Sequence, residues 1–347
     1  MLIYIIVLLF LIFCCCFENN RKFFYLGIFV LFIFAIMRGD EVDRDYKTYI
    51  SIYEYLINGD QYTIEPTFIL LTYISHAFTN SPILIFVVYA LIALYYKSKY
   101  IRYFSPYICL SLIVYYSNFY FIHELTQIRI GAASAIGFFA LKHLIENNKR
   151  NFVVLVLLSA LFHFSMVVLF IALIFDKRKI NSQFILVTCV LIGISYGLIF
   201  LNINPLRLLQ YIPIPVLQEK FAIYTFQTEN EMIEPVNVIS AIQIIRLGVI
   251  LFIFANAKKF ENNTSIVLLC KIYSLSPLCL VLLSSLPAFA IRVSELFYVA
   301  DIVVLPMLAS YCKQNRMVRF IIILLSSFIL LMNLFHNEIV KGYEFQI

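Results

Sequence analysis

GIFVLFIFAIMRGDEVDRDYKTY, residues 27–49, changes character at a single point. Its first eleven residues carry no charge, and the twelve that follow hold Arg38, Asp40, Glu41, Asp43, Arg44, Asp45 and Lys47. An uncharged run of that kind belongs in hydrocarbon or in a protein interior, and a dense charged block after it belongs at the boundary with water. The alternation recurs down the chain. Of 347 residues, 63% are hydrophobic and 13% are charged, whereas a soluble domain carries roughly 25% charged residues.

Working outward from residues 27–49, apolar stretches occupy 1–18, 22–37, 64–79, 81–96, 104–121, 126–145, 151–175, 183–203, 236–256, 263–285, 290–311 and 318–335. The chain is therefore read as an all-α polytopic membrane protein with about 11–12 transmembrane or partly re-entrant helices. It forms one integral membrane domain over residues 1–347, with outer loops 38–63 and 204–235. The first stretch lacks a basic leader and a small-residue cleavage pattern, so it is expected to be a helix rather than a signal peptide. The eight cysteines fall mostly in apolar runs and read as small buried hydrophobes. A net charge of +6 suits basic cytoplasmic flanks better than nucleic-acid binding.

Basic clusters orient the spans. Arg21 with Lys22, Lys97 with Lys99 and Arg102, Lys142 with Lys149 and Arg150, residues 177–179, Lys258 with Lys259, and Lys313 with Arg316 and Arg319 are assigned to the cytoplasm. Loops 38–63 and 204–235 and the C-terminus then lie outside. One conflict follows: an odd number of crossings is required between loop 38–63 and Lys97, yet two apolar stretches intervene. Either 64–79 is re-entrant or interfacial, or one cluster breaks the rule. Segment 151–175 has basic flanks at both ends and reads as two short helices turning near His163.

Chemistry-bearing residues gather on the outer side. Arg38 ends an apolar helix; it either anchors that helix at the headgroups or grips phosphate, whose oxygens a guanidinium matches bidentately. Asp43 and Asp45 have a spacing that solvated loops often produce; they hold a divalent ion with a pyrophosphate, or Asp45 orients an arginine. In HELTQIR, residues 123–129, a helix start is expected to face outward, with Arg129 toward phosphate and Glu124 handling a proton, or else to be a capped, solvated helix end. His163 is a buried histidine bonded to a carbonyl, a general base, or a phosphate partner. Arg292 and Glu295, three apart, share a helical face and are expected to pair. Arg207 lies in the long outer loop, as a surface charge or a ligand grip. Arg38, Arg129, Arg207 and Arg292 come from separated elements, which suits a transporter or an enzyme acting on a lipid-linked pyrophosphate. In the enzyme, arginines would stabilise the leaving pyrophosphate while a carboxylate or histidine deprotonates a sugar hydroxyl. A G-x-x-x-x-G-K-[ST] loop is missing, which argues against direct ATP coupling.

These residues resemble the EpsG-like branch of polysaccharide polymerases, related to the Wzy O-antigen and capsule polymerases. RGDEVDRDYKTY is similar to that branch's R-x-x-x-V-G-x-D-x-x-x-Y pattern at Arg38, Val42, Asp45 and Tyr49, with Asp43 in the glycine position. Glu65 in EPTFILLTYIS resembles the glutamate that opens the next segment. LTQIRIGAASAIGFFALKHL resembles an R-Q-x-x-A helix through Arg129, with Ile130 replacing the glutamine. ALFHFSM resembles an F-H-x-S element through His163 and Ser165, and AIRVSELF resembles a late arginine segment through Arg292.

The resemblance implies a fold like that of multi-spanning GT-C-type glycosyltransferases. It implies an inverting, metal-independent polymerase that needs no cofactor and joins oligosaccharide repeat units carried on undecaprenyl pyrophosphate, with donor and acceptor both lipid-linked. The expected location is the periplasmic or extracytoplasmic face of a bacterial inner membrane, with a flippase and a chain-length regulator as partners. Arg38, Arg129, Arg207 and Arg292 are expected as pyrophosphate contacts. Glu124, His163, Asp45 and Glu65 are the candidate bases, in no fixed order. The main alternative is a flippase or exporter of lipid-linked oligosaccharide, for which no inverted repeat is visible. A membrane acyltransferase and a purely structural subunit are further alternatives.

Overall fold

The computed structural model describes residues 1–18, 20–201, 203, 222, 226 and 235–345, apart from the Ala288 side chain. Arg207 and most of loop 204–235 lie outside the described residues. Among the described residues the structure is helical, and extended pairing is confined to two isolated antiparallel bridges, Arg38 to Phe345 and Asp43 to Val340.

Each apolar stretch of the sequence forms a helix or a pair of short ones. They are α1 (Leu2–Cys15), α2 (Arg21–Ile36), α4 (Pro66–Thr79), α5 (Ile83–Phe104), α6 (Ile108–Tyr115) with a π-helical continuation (Tyr116–Thr126), and α7 (Ile128–Ile145). Then follow α8 (Lys149–Phe162) with a 3-10 stretch (Phe164–Ile174), α9 (Ser182–Phe200), α10 (Ala241–Ala255), α11 (Thr264–Leu282), α12 (Pro287–Tyr298), α13 (Asp301–Ser310) and α14 (Asn315–Phe335). The polar breaks between the runs act as caps: side chains of Asn20, Asn148, Asn181, Ser240 and Asn263 each accept from a backbone N–H in the first turn that follows. Pro66 and Pro287 stand in the first turns of α4 and α12, where a missing N–H costs nothing.

Among the described residues, six helical stretches are long and apolar enough to cross a membrane: Ile83–Phe104, Ile128–Ile145, Ser182–Phe200, Thr264–Leu282, Phe289–Ser310 and Asn315–Phe335. The protein is a multi-pass, all-α membrane protein. α1 and α4, with 14 residues each, extend about 21 Å at 1.5 Å per residue, short of a ~30 Å hydrocarbon core.

The described chain divides into two compact units, residues 1–173 with 301–347, and residues 174–300. In the first, α7 packs between α5 and α8, and α4 lies against α5 and α8. In the second, α11 packs against α9, α10 and α12.

Three expectations are corrected. Loop 38–63 is not simply a polar rim, because it contains α3 (Tyr46–Ile57). This helix buries Tyr46, Tyr49, Ile52, Tyr53 and Leu56 on one face, a helical spacing hidden among charged residues. His123 and Glu124 do not start a helix: they end the π-helical stretch, and the chain breaks at Gln127 before α7 begins. Lys97 is not a surface flank. It is fully buried inside α5 and ion-paired. The expected turn at His163 is present: His163 is extended, with φ −159° and ψ 118°, between α8 and the 3-10 stretch.

Candidate functional site

Glu65, Arg129 and His163 come from three separate elements of the first unit and meet. Glu65 precedes α4, and its backbone carbonyl opens the helix by accepting from Phe68. Its side chain does not cap the helix, which leaves the carboxylate to form an ion pair with Arg129 Nη1. The other carboxylate oxygen lies 3.9 Å from His163 Nε2. Thr67 fixes this approach from the next turn. Its hydroxyl donates to the Leu161 carbonyl at 2.8 Å and lies 3.2 Å from the Tyr89 hydroxyl, tying the start of α4 to the end of α8 and to α5.

Arg129 stands in the first turn of α7, where the helix dipole already favours negative charge. A cation placed there adds to the pull on an anion. Tyr49, on the buried face of α3, presents its ring 5.8 Å from the guanidinium carbon. His163 is held by Ser165, whose hydroxyl is 2.7 Å from Nδ1 and whose backbone N–H donates to the same nitrogen at 3.3 Å. With Nδ1 accepting, the ring proton is on Nε2, directed toward Glu65. The cluster is partly open: the side chains of Arg129, His163 and Glu65 are 27%, 17% and 6% exposed. Partial burial strengthens the electrostatics of such a cluster relative to bulk water.

Arg38 has a different situation. Its Nε donates to Asp43 Oδ2 at 2.8 Å, Nη1 to the Ala35 carbonyl, and Nη2 to the Leu125 carbonyl at 2.9 Å. The guanidinium carbon lies 4.9 Å from the Phe86 ring centre and 5.4 Å from that of Tyr46, and the residue is 1% exposed. All three nitrogens are engaged, so the geometry is that of a clamp joining α2, the 38–45 loop and the end of the π-helical stretch. Asp43, not Asp45, is its carboxylate partner. Asp43 Oδ1 also accepts from the Asp45 and Tyr46 N–H groups and so caps α3. An acid in the family pattern's glycine position thus has a structural use, and Asp45 is the half-buried residue just before α3.

Glu124 is 1% exposed, and its Oε1 lies 2.7 Å from Lys97 Nζ. It belongs to a second, sealed cluster with His123 rather than to the Glu65 group. In the second unit, Arg292 is exposed on α12 and makes no ion pair within 4.0 Å with Glu295, whose carboxylate nevertheless lies in the field of both Arg246 and Arg292; the expected pairing is a longer-range one, shared with Arg246. Sequence reasoning passed over Arg246 of α10. It is 8% exposed, with its guanidinium carbon 3.6 Å from the Tyr298 ring centre and Nη1 donating to Ser294 Oγ at 3.3 Å. A charged residue inside an otherwise apolar helix was the signal for it.

With these positions defined, comparison with known proteins places the chain. A family model described as the EpsG family matches residues 21–346, and the chain belongs to that family. It is also similar to the amylovoran biosynthesis protein AmsC of Erwinia amylovora, 22% identical over 290 residues that cover 79% of this chain and 75% of the relative. No solved structure matches.

Proposed function

We propose that the protein is a polysaccharide polymerase. It joins oligosaccharide repeat units carried on undecaprenyl pyrophosphate at the outer face of a bacterial inner membrane. The observation that carries this reading is the meeting of Glu65, Arg129 and His163 as a partly exposed cluster in a membrane-spanning chain. Membership of the EpsG family and similarity to a protein named for amylovoran biosynthesis support it.

In this reading Arg129 binds the pyrophosphate of the donor and stabilises the charge that grows on it as it leaves. Glu65, oriented by Arg129 and His163, takes the proton of the acceptor hydroxyl. The acceptor oxygen bonds to the donor's anomeric carbon as the bond from that carbon to the phosphate oxygen breaks. Undecaprenyl pyrophosphate departs with the electron pair, and attack opposite the leaving group inverts the anomeric centre. His163, with Nε2 3.9 Å from the other Glu65 oxygen, flanks the carboxylate. Arg38 positions the loop that leads into α3. A GT-C-type architecture, an extracytoplasmic active face, and a flippase and chain-length regulator as partners belong to the same proposal.

The test is transfer by purified protein in nanodiscs, given lipid-linked repeat units without nucleotide sugar. Products are resolved by chain length. A ladder made by the native chain and lost in Arg129→Ala and Glu65→Gln supports the proposal. Substrate binding without a ladder, together with movement of the lipid between leaflets in vesicles, identifies a flippase instead.

A further inference from the structure

Lys97, His123 and Glu124 form a cluster that the proposed chemistry does not use. The side chains of Lys97 and Glu124 are 1% and 0% exposed. Lys97 Nζ donates to Glu124 Oε1 at 2.7 Å, lies 3.1 Å from His123 Nδ1, and stands 4.8 Å from the centre of the Tyr115 ring. The pair therefore joins the middle of α5 to the last turn of the π-helical stretch. In the absence of water, separating these charges leaves one of them buried and uncompensated.

The π-helical stretch is held on every side. Tyr116 and Tyr120 hydroxyls donate to the carbonyls of Tyr4 and Leu31 at 2.9 and 2.7 Å. Asn118 Nδ2 donates to Asp301 Oδ2 at 3.0 Å. The stretch's own carbonyls are also taken: Ser117 accepts from Asn333 Nδ2 at 3.0 Å, and Leu125 from Arg38 at 2.9 Å. π-Helical turns are uncommon and recur at functional sites. This one ends at Thr126, three residues before Arg129.

Gly131 locks that end to α7. A Cβ at this position would press into the His123 carbonyl oxygen, stand 2.9 Å from its carbonyl carbon, and lie 3.3 Å from Glu124 Oε2. The His123 backbone and the Glu124 carboxylate thus rest against the first turn of α7, the turn that carries Arg129. A shift of this end of the π-helical stretch therefore presses on that turn through the His123 carbonyl.

We propose that Lys97 and Glu124 are positioning residues: their buried ion pair sets the end of the π-helical stretch and so aims Arg129 at the anionic group of the substrate. Glu124 is then not the base. This rests on the role given to Arg129 above, and the two are separable by experiment.

The test compares Lys97→Met, Glu124→Gln and the double variant Lys97→Met/Glu124→Met in nanodiscs. Transfer and melting temperature are measured on each. Replacing a buried pair by apolar residues of similar size is often neutral for stability, whereas removing one partner is not. Lys97→Met is expected to melt several degrees lower and to raise KM for the lipid-linked donor about tenfold or more. The double variant is expected to recover the melting temperature and to transfer within about threefold of the native rate.

A double variant that melts normally but makes no product overturns the proposal, because a positioning pair is replaceable and a base is not. Lys97→Met with native KM also overturns it. Should the native chain make no ladder, a reporter still decides. The chain has no Trp, so Tyr49→Trp introduces a single one beside Arg129. Its emission should shift when Lys97→Met is added and return in the double variant. No shift in a folded Lys97→Met background refutes the positioning role, whatever the substrate proves to be.

Discussion

Two clusters in the first unit use nearly the same parts. Glu65, Arg129 and His163 form one; Glu124, Lys97 and His123 form the other. Each has a carboxylate ion-paired to a cation, with a histidine alongside. In the first, Arg129 is 27% exposed and His163 17%. In the second, Lys97 is 1% exposed and Glu124 0%. The proposed roles follow this difference in accessibility: a group that must meet substrate cannot be sealed, and a pair that must hold a helix end gains from exclusion of water. The choice of cation fits. The planar guanidinium of Arg129 can keep Glu65 on one nitrogen and offer another edge to phosphate, whereas the Lys97 ammonium is a compact charge that satisfies two neighbours at once.

The largest effect should come from the open cluster. Arg129→Ala should cut transfer about 100- to 1000-fold, the loss seen when one donor to a developing oxyanion is removed, with a lower melting temperature because the buried Glu65 loses its partner. Native-like transfer by this variant would remove the distinction between the clusters. Next is Gly131→Ala, which tests the sealed side. The added methyl meets backbone at His123, and overpacking of this kind costs about 1–3 kcal/mol. Thermal unfolding in detergent should show a clear drop, and an unchanged midpoint would mean that the π-helical end is not held against α7.

A smaller change is expected for Ser165→Ala, which removes the hydroxyl 2.7 Å from His163 Nδ1. The ring remains but is less well directed, so kcat/KM should fall by about tenfold or less, as for loss of one hydrogen bond. Steady-state transfer rates measure this, and a drop as large as that of Arg129→Ala would make His163 the base in place of Glu65. The smallest effect belongs to Glu41, an exposed acid held by Lys47 and Lys341. The hydrogen bond from Lys47, and next that from Lys341, lowers its pKa below the ordinary 4.5. Its contribution is present above pH 4.5 and is lost as pH falls through the lowered value. Glu41→Gln should leave the melting temperature at pH 7 nearly unchanged and make it less sensitive to acid below pH 4.5; a large shift at neutral pH would mean that surface pairing matters as much as the buried pairs.

The legibility of these clusters in the sequence was uneven. Glu65 and Arg129 stand out in the sequence as charged residues near the starts of apolar runs, and His163 as a polar residue in the middle of one. Their convergence was not visible, since 64 residues separate Glu65 from Arg129. Glu124 was grouped with Arg129 because the two are close in sequence. The break at Gln127 sends them to different surroundings. Lys97 was read as a basic flank because a lysine near a helix end usually is one, and its partner lies 27 residues away. The helix α3 was missed because its five buried residues are interleaved with charges in a loop that reads as polar.

The sequence by itself determined the class of protein, the position of nearly every helix and the capping residues between them. These depend on transfer of local segments out of water and on hydrogen bonds within a few residues of each other. Only the tertiary structure decided which carboxylate is open and which is sealed, and that Arg38 is a clamp with all three nitrogens engaged. Burial and ion pairing are set by residues far apart in the chain, and the free energy of a charge depends on what surrounds it more than on what it is.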